Sequence, residues 1–88
     1  MSIAVHKIDD ATFEVTVDGR ASTTHRVTVP ASYYQKLTGG RVTTEALVEK
    51  SFEFLLEREP NTSILRQFEL SVIQSYFPEY EKTIQGML

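Results

Sequence analysis

Apolar and polar positions alternate through the first thirty residues. Phe13, Val15 and Val17 are interleaved with Glu14 and Thr16, and Val27 and Val29 with Arg26 and Thr28. A period of two is the signature of a strand with one face buried and the other in water. The pattern therefore predicts strands over 12–17 and 24–29, with a first strand from Ile3 to Ile8. The parity of that first strand is uneven, since Ile3 and Val5 fall on one face and Ile8 on the other. A bulge or an early strand end is expected there. Asp9-Asp10 and Asp18-Gly19-Arg20 supply the turn chemistry between strands, because Asp and Gly tolerate tight reversals. The simplest reading is a three-stranded antiparallel meander.

Beyond Pro30 the period lengthens. Pro30 suits the entry of a short helix, Ala31 to Leu37, which Gly39-Gly40 then terminates. Thr43 or Thr44 caps the longest element, which runs to about Glu59 and is stopped by Pro60. Its apolar residues, Leu47, Val48, Phe52, Phe54, Leu55 and Leu56, spread over roughly 200° of the helix, wider than an ordinary surface helix needs. Two burial partners are implied: the sheet, and either the C-terminal segment or another subunit. Asn61 to Phe68 reads as a capped single turn, followed by a helix from about Leu70 to Phe77, with Phe68, Val72 and Tyr76 on the flanks of its apolar stripe. Pro78 breaks that helix, and residues 79–84 form a last turn before a frayed end. The expected fold is α+β, with an N-terminal three-stranded antiparallel meander followed by three to four helices, in a single domain over residues 1–88.

Length turns this into an expectation about association. A chain of 88 residues buries only about 60–65% of its unfolded surface, and self-association is a common remedy. A homo-oligomer, dimer or higher, is expected. The absence of Cys removes disulfides, thiolate zinc sites and cysteine nucleophiles and fits a reducing compartment, so cytoplasmic localisation is the expectation. No apolar run approaches the roughly 20 residues that span a bilayer and the start lacks an apolar signal region, so neither membrane insertion nor secretion by that route is expected. The net charge of −3 is unevenly distributed: residues 1–42 carry five Lys/Arg against four Asp/Glu, and residues 43–88 four against eight. This argues against a non-specific nucleic-acid coat and leaves room for a local basic patch.

Candidate chemistry is sparse. His6 and His25 show no metal-binding spacing, and His25 shares the inward parity of Val27 and Val29. Asp18, Ser22 and His25 have the residue types of a hydrolase triad but lie within eight residues of one hairpin, whereas a triad converges from separate elements. Glu45, Glu49, Glu53 and Glu57 repeat at four-residue spacing, an acidic stripe that Lys50, Arg58 or a partner's Arg would offset. No catalytic residue, metal or cofactor is expected, and the chain reads as a non-enzymatic module. The turn Thr38-Gly39-Gly40-Arg41-Val42-Thr43-Thr44 places glycines, a cation and two hydroxyls before a helix N-terminus, where phosphate could be held; a plain C-cap followed by an N-cap explains it equally. Six of the nine aromatics lie between residues 52 and 80, a density typical of cores and of interfaces with another protein.

Two resemblances add to this. The stretch from His25 to Pro30, a helix, and Gly40-Arg41-Val42-Thr43-Thr44-Glu45-Ala46-Leu47 onward to Glu57 resembles ribbon-helix-helix repressors and antitoxins. That likeness implies a dimer whose two-stranded ribbon reads DNA through Thr24, Arg26 and Thr28, with Arg41, Thr43 and Thr44 at a phosphate. The same residues admit another arrangement, in which this strand pairs within its own chain and Arg26 faces Glu14. The segment Phe52-Glu53-Phe54-Leu55-Leu56-Glu57-Arg58-Glu59-Pro60-Asn61-Thr62-Ser63-Ile64-Leu65-Arg66, with Tyr76-Phe77-Pro78-Glu79-Tyr80, is similar to a family of short bacterial proteins without an assigned activity. It implies a shared fold and no named chemistry. The leading expectation is an oligomeric macromolecule-binding module, and the alternative a DNA-binding regulator.

Overall fold

The alternating segments pair as three strands, β1 (Ser2–Lys7), β2 (Thr12–Asp18) and β3 (Thr23–Thr28), in an antiparallel meander within a computed structural model that describes residues 2–88. The register is one-to-one: Ile3 lies opposite Val17, Val5 opposite Val15, and Phe13 opposite Val27. β1 carries no bulge. It ends at Lys7, and Ile8 stands 44% exposed beyond it, which accounts for the uneven parity. The first reversal is held by the Ala11 N–H donating to Asp9 Oδ1 at 2.9 Å and the Ile8 N–H to the Thr12 carbonyl at 2.9 Å.

The sheet has a fourth strand that the alternation does not announce. β4 (Gln67–Glu69) pairs parallel to β3, with Val27 opposite Phe68, giving the order β1-β2-β3-β4. The Arg26 N–H donates to the Arg66 carbonyl at 2.8 Å and the Leu70 N–H to the Thr28 carbonyl at 2.9 Å. A meander followed only by helices is thereby corrected to a four-stranded mixed sheet with helices before and after its last strand. Of the segment expected to be a capped turn, only Asn61–Ser63 is a 3₁₀ turn. Three residues are too few to print a period. The strand forms because the second edge of β3 has backbone groups to satisfy, a requirement set by distant parts of the chain.

Helices α1 (Ala31–Thr38), α2 (Thr44–Leu56), α3 (Val72–Tyr76) and α4 (Tyr80–Met87) complete the fold. The core lies on one side of the sheet, where Phe13, Val15, Val17, His25 and Val27 are buried against Leu47, Val48, Phe52 and Leu55. The wide apolar surface of α2 has two neighbours, as its angular spread requires. One is the sheet, and the other is α4 of the same chain: the Ser51 hydroxyl donates to the Leu47 carbonyl at 2.7 Å and meets the Tyr80 hydroxyl at 2.7 Å. Burial holds the Tyr80 phenol well above its ordinary range. Expected as a fraying turn, α4 is instead two turns long with Tyr80 and Ile84 fully buried at i and i+4. It is tied to α1 by the Tyr33 hydroxyl donating to Glu81 Oε2 at 2.9 Å and by a Lys36–Glu81 ion pair at 3.1 Å. Among the described residues, no helix is long and apolar enough to cross a membrane.

Candidate functional site

Among the described residues, nothing covers the face of the sheet away from the helices. Thr24, Arg26 and Thr28 all project there and are exposed, the arrangement their parity predicts. The register sets His6, Glu14, Arg26 and Gln67 in a row across the four strands, with Thr28 between Thr12 and Glu69. Glu14 thus stands directly opposite Arg26, although no nitrogen–oxygen approach within 4 Å joins them among the described residues. Both edges of β3 are used within its own chain, by β2 and by β4. A ribbon made by pairing this strand with its copy has no free edge to form on, so the ribbon-helix-helix geometry is not the geometry of this strand.

The glycine turn is a pair of helix caps. Gly39, at φ 63°, ends α1 in the left-handed region and donates its N–H to the Gln35 carbonyl at 2.9 Å. Thr38 Oγ1 accepts the Gly40 N–H at 3.0 Å, and the Arg41 N–H and Nε–H both donate to the Thr38 carbonyl, at 3.2 and 3.1 Å. Thr43 Oγ1 accepts the Ala46 N–H at 3.1 Å, so Thr43 is the N-cap of α2 and Thr44 its first residue. Thr43 is therefore engaged in starting α2, and Arg41 in ending α1 through its backbone N–H and Nε–H. The capping alternative describes these contacts in full.

His25 is fully buried and its hydrogen bonds are made inside. Nδ1 lies 2.8 Å from the Leu65 carbonyl, Nε2 lies 2.8 Å from Thr23 Oγ1, and that oxygen accepts from Asn61 Nδ2 at 2.9 Å. A carbonyl only accepts, so Nδ1 carries the proton and Nε2 accepts from the Thr23 hydroxyl. Burial pushes the pKa of the imidazole down, against the Leu65 carbonyl, which raises it. The Ser22 hydroxyl donates to Asp18 Oδ1 at 2.9 Å in the exposed hairpin, while His25 faces the core, so Asp18, Ser22 and His25 do not assemble. On the acidic stripe Glu53 pairs with Lys50 at 3.4 Å; Arg58 turns instead to Glu79, at 3.2 Å. Among the described residues, no three His, Asp or Glu side chains gather closely enough to hold a metal ion.

The feature that parity and spacing did not single out is an apolar cleft beside β4. Leu55, Ile64, Leu65, Phe68, Val72, Ile73, Tyr76 and Phe77 enclose a cavity of about 210 Å³, with Ser63 on its rim. Leu65 is 47% and Tyr76 66% exposed at its mouth. Of the six aromatics between residues 52 and 80, Phe52, Phe54, Phe68 and Tyr80 are core and Phe77 is half-buried, which leaves Tyr76 as the one turned mostly to water. The available signal was the pair Val72 and Tyr76 on the flank of the α3 stripe, apolar positions in excess of what core packing needs. Comparison of the chain with protein-family models, with curated proteins and with solved structures finds no match.

Proposed function

We propose that this protein is a non-enzymatic, self-associating α+β module that binds another protein through the cleft beside β4. The observation that carries the reading is Tyr76 and Leu65 exposed over a cavity walled by Leu55, Ile64, Phe68 and Val72. Its size selects the class of ligand. At about 210 Å³ it lies below the roughly 300–1,000 Å³ of pockets that enclose a drug-sized molecule or cofactor. It has room for one or two apolar side chains of a partner. A tyrosine at the mouth of an apolar pocket is also the arrangement that concentrates binding energy at protein interfaces. Of the candidate acid–base groups, His25 braces the core, and Glu53 of the acidic stripe is paired with Lys50 on the helix surface.

Selection of peptides from a random library against the purified chain tests this directly. Peptides with apolar or aromatic anchors are expected to emerge, and Leu65→Ser combined with Tyr76→Ala should weaken them by about tenfold or more. Arg26→Ala, on the opposite side of the sheet, should leave them unchanged. Selection of no such peptide, or binding indifferent to the cleft substitutions, would sink the reading.

A second reading, a DNA-binding regulator, is favoured by one observation: Thr24, Arg26 and Thr28 lie side by side on an uncovered sheet face. Glu14 and Glu69 share that face and oppose it. On this reading a genomic fragment is retarded in low salt, and Arg26→Ala abolishes the shift. No retardation at low salt removes DNA as the ligand.

A further inference from the structure

The outer edge of β1 is open, and its hydrogen-bonding groups can be assigned. The Ile8 N–H donates to Thr12, and in an antiparallel ladder the residues that bond a given neighbour alternate. Ser2, Ala4 and His6 therefore direct their backbone groups at β2, whereas Ile3, Val5 and Lys7 direct theirs outward, where no strand lies among the described residues. Exposed edges are ordinarily blunted by proline, bulges or central charges. Over Ser2–Lys7, β1 has no proline, its register with β2 is unbroken, and its ionisable side chains, His6 and Lys7, are confined to its end.

We infer that β1 pairs antiparallel with β1 of a second copy about a two-fold axis at Ala4, joining two four-stranded sheets into one of eight strands; this rests on the self-associating part of the reading above. The register follows from parity. A two-fold axis normal to the sheet keeps side chains on their own face, so residues may pair only with residues of like parity. Centring on Ala4 sets Ile3 opposite Val5 of the copy, twice over, and Ser2 opposite His6. Ile3 and Val5 are the residues whose N–H and C=O groups point outward, so both pairs exchange two hydrogen bonds. They are also the half-buried apolar residues of this strand, packed on the rim of the core, and a second strand covers them. The smallest side chain of the strand falls on the axis.

Charge agrees with this register. The groove beneath β1 is lined by Ile3, Leu56 and Met87 together with Glu53, Glu57 and Thr83. Lys7 shares the helix-side parity of Phe13, its partner across β2. In the paired sheet, Lys7 of the second copy, which within its own chain makes only an exposed 3.6 Å ion pair with Asp10, lies one step beyond Ile3 on that side, toward Glu53 and Glu57. The acidic stripe, for which Lys50 supplies one cation within the chain, gains a second from its neighbour.

The absence of cysteine makes the test unambiguous. Directly opposed residues of a non-hydrogen-bonded antiparallel pair have Cα atoms about 4.5 Å apart, within the range a disulfide accepts. Ala4→Cys should therefore cross-link to a covalent dimer under mild oxidant. Ala4 is exposed, so Ala4→Lys should fold normally yet place two like charges on the axis and raise the dimer dissociation constant by about tenfold or more in sedimentation. A wild-type dimer that neither cross-links through position 4 nor weakens with Ala4→Lys would overturn the β1 assignment while leaving self-association standing. A wild-type monomer at micromolar concentration would overturn both.

Discussion

Phe54→Ala should be among the most damaging single substitutions in this chain, costing about 3–5 kcal/mol of stability. The ring is fully buried where α2 crosses α4. Tyr80 meets it edge-on with centroids 5.2 Å apart, Phe77 at 5.9 Å, and the Arg58 guanidinium carbon lies 3.5 Å from its centroid. Arg58 is held there by donating to the Phe54 carbonyl at 3.0 Å and to Glu79 Oε2 at 3.2 Å. Truncation opens a cavity and at once removes two aromatic contacts and a cation–π contact, each a further fraction of a kcal/mol. A domain of this size has about 4–13 kcal/mol in total, so the variant retains little margin. The thermal midpoint should fall by more than about 12 °C. A loss below about 1 kcal/mol in urea titration would show that the α2–α4 seam is not core.

That seam also shows what was legible in the sequence. The angular width of the α2 apolar face demanded a second burial partner, and alternation placed Phe13, Val15, Val17 and Val27 in the core with His25 among them. These are local patterns, repeated often enough to be read. The identity of the second partner was not local: Tyr80 and Ile84 give one i,i+4 pair after Pro78, and only the fold shows that Tyr80 reaches Ser51. β4 escaped for the same reason, since Gln67-Phe68-Glu69 carries a single buried residue and owes its conformation to β3. At the candidate sites, parity correctly put Thr24, Arg26 and Thr28 in water but could not say which strands flanked them. The cleft was hidden because a cavity is a relation among four segments, and Leu65, at its mouth, belongs to no periodic element.

The position of Leu65 connects the core to the cleft. Its side chain stands at the cleft mouth, while its carbonyl is the acceptor for the buried His25 ring. The loop carrying it is fixed at its start by Asn61, whose amide donates to the Ala21 carbonyl at 2.7 Å and to Thr23 Oγ1 at 2.9 Å. The exposed binding surface is therefore positioned by an internal hydrogen-bond relay that runs from the β2–β3 hairpin through Thr23 and His25.

Breaking that relay should produce the second large effect. His25→Ala leaves a cavity beside Phe52, whose ring lies 5.3 Å away, and strands the Leu65 carbonyl and the Thr23 hydroxyl. The expected cost is about 2–4 kcal/mol. Protonation attacks the same relay without mutation, because a charged ring would need Nε2 to donate toward Thr23 Oγ1, turning away the hydroxyl hydrogen that Nε2 accepts when neutral. Burial holds the folded pKa below the ordinary imidazole value of 6.5. Between the two values the unfolded chain binds more protons than the folded one, so stability falls as pH drops below 6.5 and stops falling below the folded pKa. Above 6.5 the contribution is fully present. Urea midpoints measured at neutral and mildly acid pH should therefore decline for the wild type and decline less for His25→Ala. Equal slopes in the two proteins would show that the imidazole is not held neutral by the fold. Because the folded ring stays neutral until the pH reaches its own lowered pKa, peptide binding at the cleft should hold through this interval and weaken only below it.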